Sequence, residues 1–274
     1  MGLSTKPLII GQSSTETDES PKVFSVRLST GMFAAASSRG TKYKNVNEDR
    51  LVILPQLPLF AVIDGMGGPG DGAKAADILT EELMTIQHPS LNSLMSIQEQ
   101  VTSRIKQECM TSNSGVCYLI CWMENSLLHI YYLGDVKLTL FDNTQNIKWE
   151  SRDHSLINSW IDSGYLSPEK ALHHPQRHII TKALTGNDTP EPDSHHISFE
   201  TGDRMIAATD GLSDNFTMDE IAEMTKNHSP QESTNMLMQK TITKMQQSHR
   251  EPWDGILLPK PDNISILIGD LTVQ

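Results

Sequence analysis

No apolar run in this 274-residue sequence approaches the ~20 residues needed to cross a bilayer, so no membrane span is expected. The first 22 residues lack the basic stretch, apolar core and small-residue site of a secretory leader. Gly2 follows Met1, but Lys6 stands where a myristoylation signal needs Ser or Thr. Cysteine is scarce: Cys109, Cys117 and Cys121 are an odd, sparse set that argues against a disulfide framework and fits a reducing cytosol. Cys117 and Cys121 share one apolar run, 116–122, and fall on one face of a strand. With no second Cys or His pair beside them, they read as small buried thiols rather than metal ligands. Basic residues are outnumbered, 22 Lys and Arg against 34 Asp and Glu, and the net charge of -12 disfavours a nucleic-acid partner. No Gly-Lys-Ser/Thr closes a phosphate loop, and no Gly-x-Gly-x-x-Gly opens a dinucleotide fold.

What is present suits one large domain with an ordinary 37% hydrophobic content. Residues 1–22 are rich in Ser, Thr, Gly and acids and read as a flexible tail; the domain follows over 23–274. Strand patterns occupy 23–28 and 32–36, then 51–54 and 59–63 as a hairpin bracketed by Pro55 and Pro58. Helical spacing follows over 73–84, with Ala75, Ile78, Leu79 and Leu83, and over 93–108, with Leu94, Ile97, Val101 and Ile105. The period then returns to two. Residues 116–122, 127–133, 137–141 and 147–150 read as consecutive antiparallel strands joined by Asn125-Ser126, Gly134-Asp135 and Asp142-Asn143. A helix at 155–163, strands at 179–184, 194–199 and 204–209, helices at 218–226 and 230–247, and a strand at 264–268 complete the pattern. Residues 248–261, with three prolines, read as a loop. The alternation predicts an α+β layered sandwich.

Four acidic islands carry the chemistry: Asn47-Glu48-Asp49, Asp64-Gly65-Met66-Gly67-Gly68, Asp210-Gly211-Leu212-Ser213-Asp214 and Asp262-Asn263. Each sets an aspartate at the end of an apolar strand or just before one. Carboxylates there are costly unless something compensates them. Four converging would make a hard, oxygen-rich site suited to Mg²⁺ or Mn²⁺, and so a metal-dependent hydrolase acting on phosphate. Singly each is weak, because Asp-Gly turns and Asx residues before strands are common. Their order is the specific signal.

In that order, together with Gly134-Asp135, Asp153-His154-Ser155 and Thr209-Asp210-Gly211-Leu212, the chain resembles the metal-dependent protein serine/threonine phosphatases. This is the protein phosphatase 2C-like (PPM) family, in its bacterial single-domain form. Gly164-Tyr165-Leu166-Ser167-Pro168, His174-Pro175 and Ile180-Thr181-Lys182-Ala183-Leu184 also match, and the likeness covers roughly 25–270. The resemblance implies a four-layer α-β-β-α sandwich with two central antiparallel sheets flanked by helices. It implies two Mn²⁺ or Mg²⁺ ions at one end of the sheets and a weaker third. Asp64 would bridge two ions. Asp210 and Asp262 would complete one, and Asp49 and the Gly65 carbonyl the other, with Glu48 outside them. Asp135 would share the third with Asp210. A hydroxide bridging two such ions would attack phosphorus in line, with no covalent phosphoenzyme. A cytoplasmic monomer acting on phosphoproteins, opposite a serine/threonine kinase, is the implied setting.

The sequence departs from the family in places. Lys44 stands where an arginine usually binds the substrate phosphate; it keeps the charge and loses the bidentate fork, with Arg39 and Lys42 nearby. Gly134-Asp135-Val136-Lys137 replaces Gly-Asp-Ser-Arg, Pro69 a common histidine and Ala73 a common glutamate. His173, His174 and His178 cluster beside Pro175. Lys44 and the altered Gly-Asp motif are the support for an alternative, a phosphoprotein-binding scaffold with weak or no catalysis. A phosphatase for one dedicated regulator and a small-molecule phosphohydrolase are further readings.

Overall fold

A computed structural model describes residues 5–11, 21–41, 46–67, 70–171, 174, 176, 179–247 and 260–273. In chain order the strands are β1 (Leu8–Ile10), β2 (Phe24–Leu28), β3 (Gly31–Ser38), β4 (Arg50–Leu54) and β5 (Leu59–Met66). Helices α1 (Asp71–Leu83) and α2 (Leu91–Glu108) follow, then β6 (Gly115–Glu124), β7 (Leu127–Leu133), β8 (Lys137–Phe141) and β9 (Ile147–Glu150). The remainder is α3 (Leu156–Asp162), α4 (Pro168–Ala171), β10 (Leu184–Thr185), β11 (Asp193–Ser198), β12 (Arg204–Ala208), α5 (Asp210–Ser213), α6 (Met218–Thr225), α7 (Pro230–Gln246) and β13 (Ile264–Leu271).

The strands form two antiparallel sheets. One runs β1-β4-β5-β6-β7-β11, with β10 also on β6; the other runs β2-β3-β13-β12-β8-β9. Period-two alternation gives each central strand two buried faces. On β5, Phe60 and Val62 enter the layer between the sheets, while Leu59, Ala61 and Ile63 meet the helices. α1 and α2 cover that outer face with Ile78, Leu79, Leu83, Leu94, Val101 and Ile105. On the other sheet, Ile206, Ala208, Ile264, Ile266 and Ile268 lie under Ile221, Leu237, Met238 and Met245 of α6 and α7. This is the four-layer α-β-β-α sandwich the resemblance implies. Caps fix the helix starts: Ser90 accepts from Ser93 N, and Thr217/Glu220 and Ser229/Glu232 form reciprocal capping boxes.

Three sequence expectations change. Leu8–Ile10, inside the expected tail, pairs antiparallel with β4, Leu8 opposite Ile53 and Ile10 opposite Leu51. Ile10 is buried, so three apolar residues gain a sheet edge. Gly134-Asp135 does not join a hairpin: β7 and β8 belong to different sheets, and the chain crosses the sandwich there. The strand expected over 179–184 reduces to a bridge between Ile180 and Ser155 and the short β10. Cys117 and Cys121 both lie in the inter-sheet core, and burial raises both thiols.

Candidate metal centre

The inter-sheet layer ends in polar side chains at one edge. The parity that sends Phe33 and Ala35 of β3, and Leu267 of β13, into that layer sends Ser37 and Ser265 there too. Their hydroxyls lie 2.8 Å apart, and Asn47 Nδ2 donates to Ser37 Oγ at 2.8 Å. Thr209, just past β12, donates its hydroxyl to Asp49 Oδ2 at 2.8 Å and accepts from Ser265 N at 3.0 Å. The Asn47-Glu48-Asp49 loop of one sheet is thereby tied to the β12 and β13 ends of the other.

The remaining loops are locked to this frame. Glu48 N donates to Asn263 Oδ1 at 2.8 Å, and Asn263 Nδ2 donates to Arg39 O at 2.9 Å. Gly65 N donates to Glu48 O at 3.2 Å; a Cβ at Gly65 would meet Gly72 O at 2.2 Å and Glu48 O at 2.6 Å, so the position admits only glycine. Gly211 is equally confined, its Cβ position 1.9 Å from Asn263 O. Glu48 Oε1 lies against Gly72 in the first turn of α1. Buried Arg50, ordinary in the sequence, braces the loop. Its Nη1 donates to the carbonyls of Gly11, Asn47 and Asp49 at 3.0, 2.8 and 2.7 Å, and its Nε donates to Asp77 Oδ1 at 2.7 Å.

The aspartates converge here. Asp64 follows Phe60 and Val62 onto the inner face and pairs in register with Cys117. Asp49 precedes β4, Asp210 opens α5 and Asp262 precedes β13. Asp135 sits on the crossing between the sheets. There Gly134, at φ +97, donates its N–H to His154 Nδ1 at 3.0 Å, and His154 Nε2 reaches Asp193 Oδ1 at 3.1 Å. Lys137, the departure from the family pattern, pairs with Asp153 at 2.5 Å, a structural contact.

The carboxylates act on one another electrostatically. Burial pushes Asp49 up to about 8; the Thr209 hydrogen bond opposes this, and the Asp262 and Asp210 charges add to it. Burial also holds Asp64 well above the ordinary range, and Asp49, Asp210, Asp135 and Asp262 each raise it further. Asp135 rises to about 7 through burial and the charges of Asp210 and Asp153.

One cation stands among them that the sequence reading did not single out. Lys260 Nζ contacts Asp210 Oδ2, and lies 3.0 Å from Asp214 Oδ2 and 3.5 Å from Asp262 Oδ2. Burial acts to lower its pKa, and these carboxylates more than offset that.

Among the described residues, no three His, Cys, Asp or Glu side chains already form a closed ion site. Lys260 lies among three of the carboxylates, those of Asp210, Asp214 and Asp262. The donor set nonetheless fits hard divalent ions: it is all oxygen, and in Asp49, Asp64 and Asp135 burial and neighbouring carboxylates raise the pKa, a penalty that a cation would relieve. Lys44, Lys42, Gly68, Pro69, His173, Pro175 and His178 lie outside the described residues. His174 is described; its ring packs edge-on against Trp160, a structural contact.

Two antiparallel sheets thus share an acidic, oxygen-rich end. No protein-family model matches the chain. The serine/threonine protein phosphatase PstP of Mycobacterium tuberculosis is 25% identical over 248 residues, 87% of this chain and 45% of the relative; the chain thus spans under half of that protein. Protein phosphatase PhpP of Streptococcus pneumoniae is 26% identical over 184 residues, 63% of this chain and 74% of the relative. The crystal structure of M. tuberculosis PstP superposes with a TM-score of 0.74 at 25% identity, covering 89% of this chain and 99% of that one. A structure of the PstP catalytic domain in complex with two manganese ions gives 0.72 at 24% identity, with the same coverage. The chain is thus similar, in sequence and in fold, to bacterial serine/threonine protein phosphatases.

Proposed function

We propose that this chain hydrolyses phosphoserine and phosphothreonine in proteins with the help of two divalent ions, Mn²⁺ or Mg²⁺. The observation that carries the reading is the convergence of Asp49, Asp64, Asp210 and Asp262, two from each sheet, at one end of the sandwich. In this reading Asp64 would be shared between the ions, and the Gly65 carbonyl would join Asp49 at one of them. Asp49 completes one ion's ligands, and Asp210 with Asp262 the other's. When bound, such ions lower the pKa of a water and neutralise charge on phosphoryl oxygens.

The chain's own residues do the rest. Arg50 and Thr209 hold Asp49 in place, Asn263 fixes the Glu48 backbone, and Gly65 and Gly211 allow the close backbone approach that brings the loops together. Glu48 is placed just outside the ligands, against α1. Lys44 is proposed to meet the substrate phosphate as a point charge. No cysteine is needed: burial raises the pKa of all three thiols. A phosphorylated protein, a serine/threonine kinase as the opposing enzyme, a cytoplasmic location and a monomeric state complete the proposal. Among the described residues no helix is long and apolar enough to cross a membrane.

The test is hydrolysis of p-nitrophenyl phosphate with Mn²⁺, Mg²⁺ or EDTA, beside Asp64→Asn. Metal-dependent turnover lost in EDTA and in the variant is the expected result. A folded wild type that binds manganese yet turns over neither this ester nor a phosphothreonine peptide would overturn the reading.

A further inference from the structure

We propose that Lys260 is a built-in cation of the metal centre: its ammonium holds the outer oxygens of Asp210, Asp214 and Asp262, so that the centre takes two divalent ions and no third. The inference rests on the two-ion reading above and concerns how many ions this chain accepts. It starts from the position of the lysine. Nζ bridges three carboxylates, two of them proposed ion ligands, and its charge also reaches Asp135. Asp135 and Asp210 are the residues to which the sequence reading gave a third ion, and Lys260 contacts Asp210 directly. The ammonium sits on the Oδ2 atoms, which leaves the Oδ1 atoms of Asp210 and Asp262 to the two-ion site, while its charge repels a further divalent ion between Asp210 and Asp135.

The backbone that carries the lysine is held in place. Its backbone is clamped on both sides by the buried Asn215, which accepts from Lys260 N at 3.0 Å and donates to Lys260 O at 3.0 Å. Asn215 Nδ2 also donates to Gly211 O at 2.8 Å, and its own carbonyl accepts from Lys244 Nζ. The clamp therefore joins the Lys260 backbone to the turn that carries Asp210.

The experiment counts ions rather than turnover. Purified wild type, Lys260→Met and Lys260→Arg are titrated with MnCl₂ by calorimetry, and bound manganese is counted by elemental analysis after equilibrium dialysis. Circular dichroism and thermal melts establish that each variant is folded. Wild type and Lys260→Arg are expected to bind two ions. Lys260→Met, similar in length and uncharged, is expected to bind a third, or to bind its weakest ion more than roughly tenfold tighter. Equal stoichiometry and affinity in wild type and Lys260→Met would overturn the lysine's role and leave the two-ion reading standing. Three ions in wild type would do the same. No manganese bound by folded wild type would overturn the two-ion reading and, with it, this inference. If Lys260→Met does not fold, Lys260→Gln carries the same comparison.

Discussion

Arg50→Met should unsettle both the fold and the centre. The guanidinium is 2% exposed and sits where β1, the Asn47-Glu48-Asp49 loop and α1 meet. Methionine fills much of the same volume, so the loss is polar. The carbonyls of Gly11, Asn47 and Asp49 each lose a charge-assisted hydrogen bond of 2.7 to 3.0 Å. Asp77, 34% exposed, loses its partner but can turn to water. A charge-assisted bond contributes about 1.5–3 kcal/mol net, and a buried acceptor left unpaired costs about 1–3 kcal/mol. These terms overlap, because one side chain makes all the contacts, so a loss of roughly 3–5 kcal/mol is expected. For a chain of this length each kcal/mol moves the melting point by about 2 °C, which gives a drop of roughly 6–10 °C by calorimetry. The Asp49 backbone would loosen at the same time, so manganese affinity should fall even at temperatures where the variant is fully folded. Arg50→Lys keeps the charge without the fork and should lie between the two. A melting point within about 2 °C of wild type, with manganese affinity unchanged, would refute the bracing role.

Two further outcomes follow from the same geometry. The metal-free chain should lose stability between pH ~4 and 8: Asp49, which ordinarily ionises at 3.8, is pushed up to about 8 in the fold, and Asp135 to about 7. The folded state then keeps protons that the unfolded chain releases, so stability falls as pH rises through that window. Melts in EDTA at pH 5 and pH 8 should show the lower value at pH 8, and added Mn²⁺ should narrow the gap; a higher metal-free melting point at pH 8 would contradict the burial of these carboxylates. Gly211→Ala places a methyl 1.9 Å from the Asn263 carbonyl, backbone against backbone. The loops must part, at about 1–3 kcal/mol, and manganese binding should weaken, whereas Gly70→Ala, with no atom within 4 Å but a positive φ, should cost about 1 kcal/mol and leave metal binding intact.

What the sequence showed was local. Asp64-Gly65 after five apolar residues and Asp262-Asn263 before another apolar run announce themselves, because strand periodicity and the demand for glycine are written over a few neighbouring positions. The helix faces of α1 and α2 were legible for the same reason. What it hid was relational. Gly134-Asp135 between two apolar runs has one signature for a hairpin and for a crossing between sheets, and the tertiary partners, β6 for one strand and β12 for the other, decide between them. Leu8, Ile9 and Ile10 are too few to outweigh the polar residues around them until the open edge of β4 is known. Arg50 reads as an ordinary strand charge, and Lys260 as one residue of a proline-rich loop. Only the fold sets the first beneath the Asn47-Glu48-Asp49 loop and the second among three carboxylates. Ser37, Ser265 and Thr209 become recognisable once the inward parity of β3, β13 and β12 is fixed.

That parity explains why the centre lies where it does. Within the inter-sheet layer the side chains are apolar until the last inward position of each strand, and there they become Ser37, Ser265, Thr209 and Asp64. Asp49 and Asp64 come from one sheet, Asp210 and Asp262 from the other, and Asp135 from the segment that crosses between them. A divalent ion bound by both pairs therefore adds a contact that only the assembled sandwich can offer. Each sheet alone would present two carboxylates, too few oxygens for a hard ion, so ion affinity and the packing of the two sheets are one linked quantity. On the proposed reading, the same carboxylates that repel one another in the metal-free chain would become, with ions between them, a tie across the sandwich at the end where its apolar layer stops.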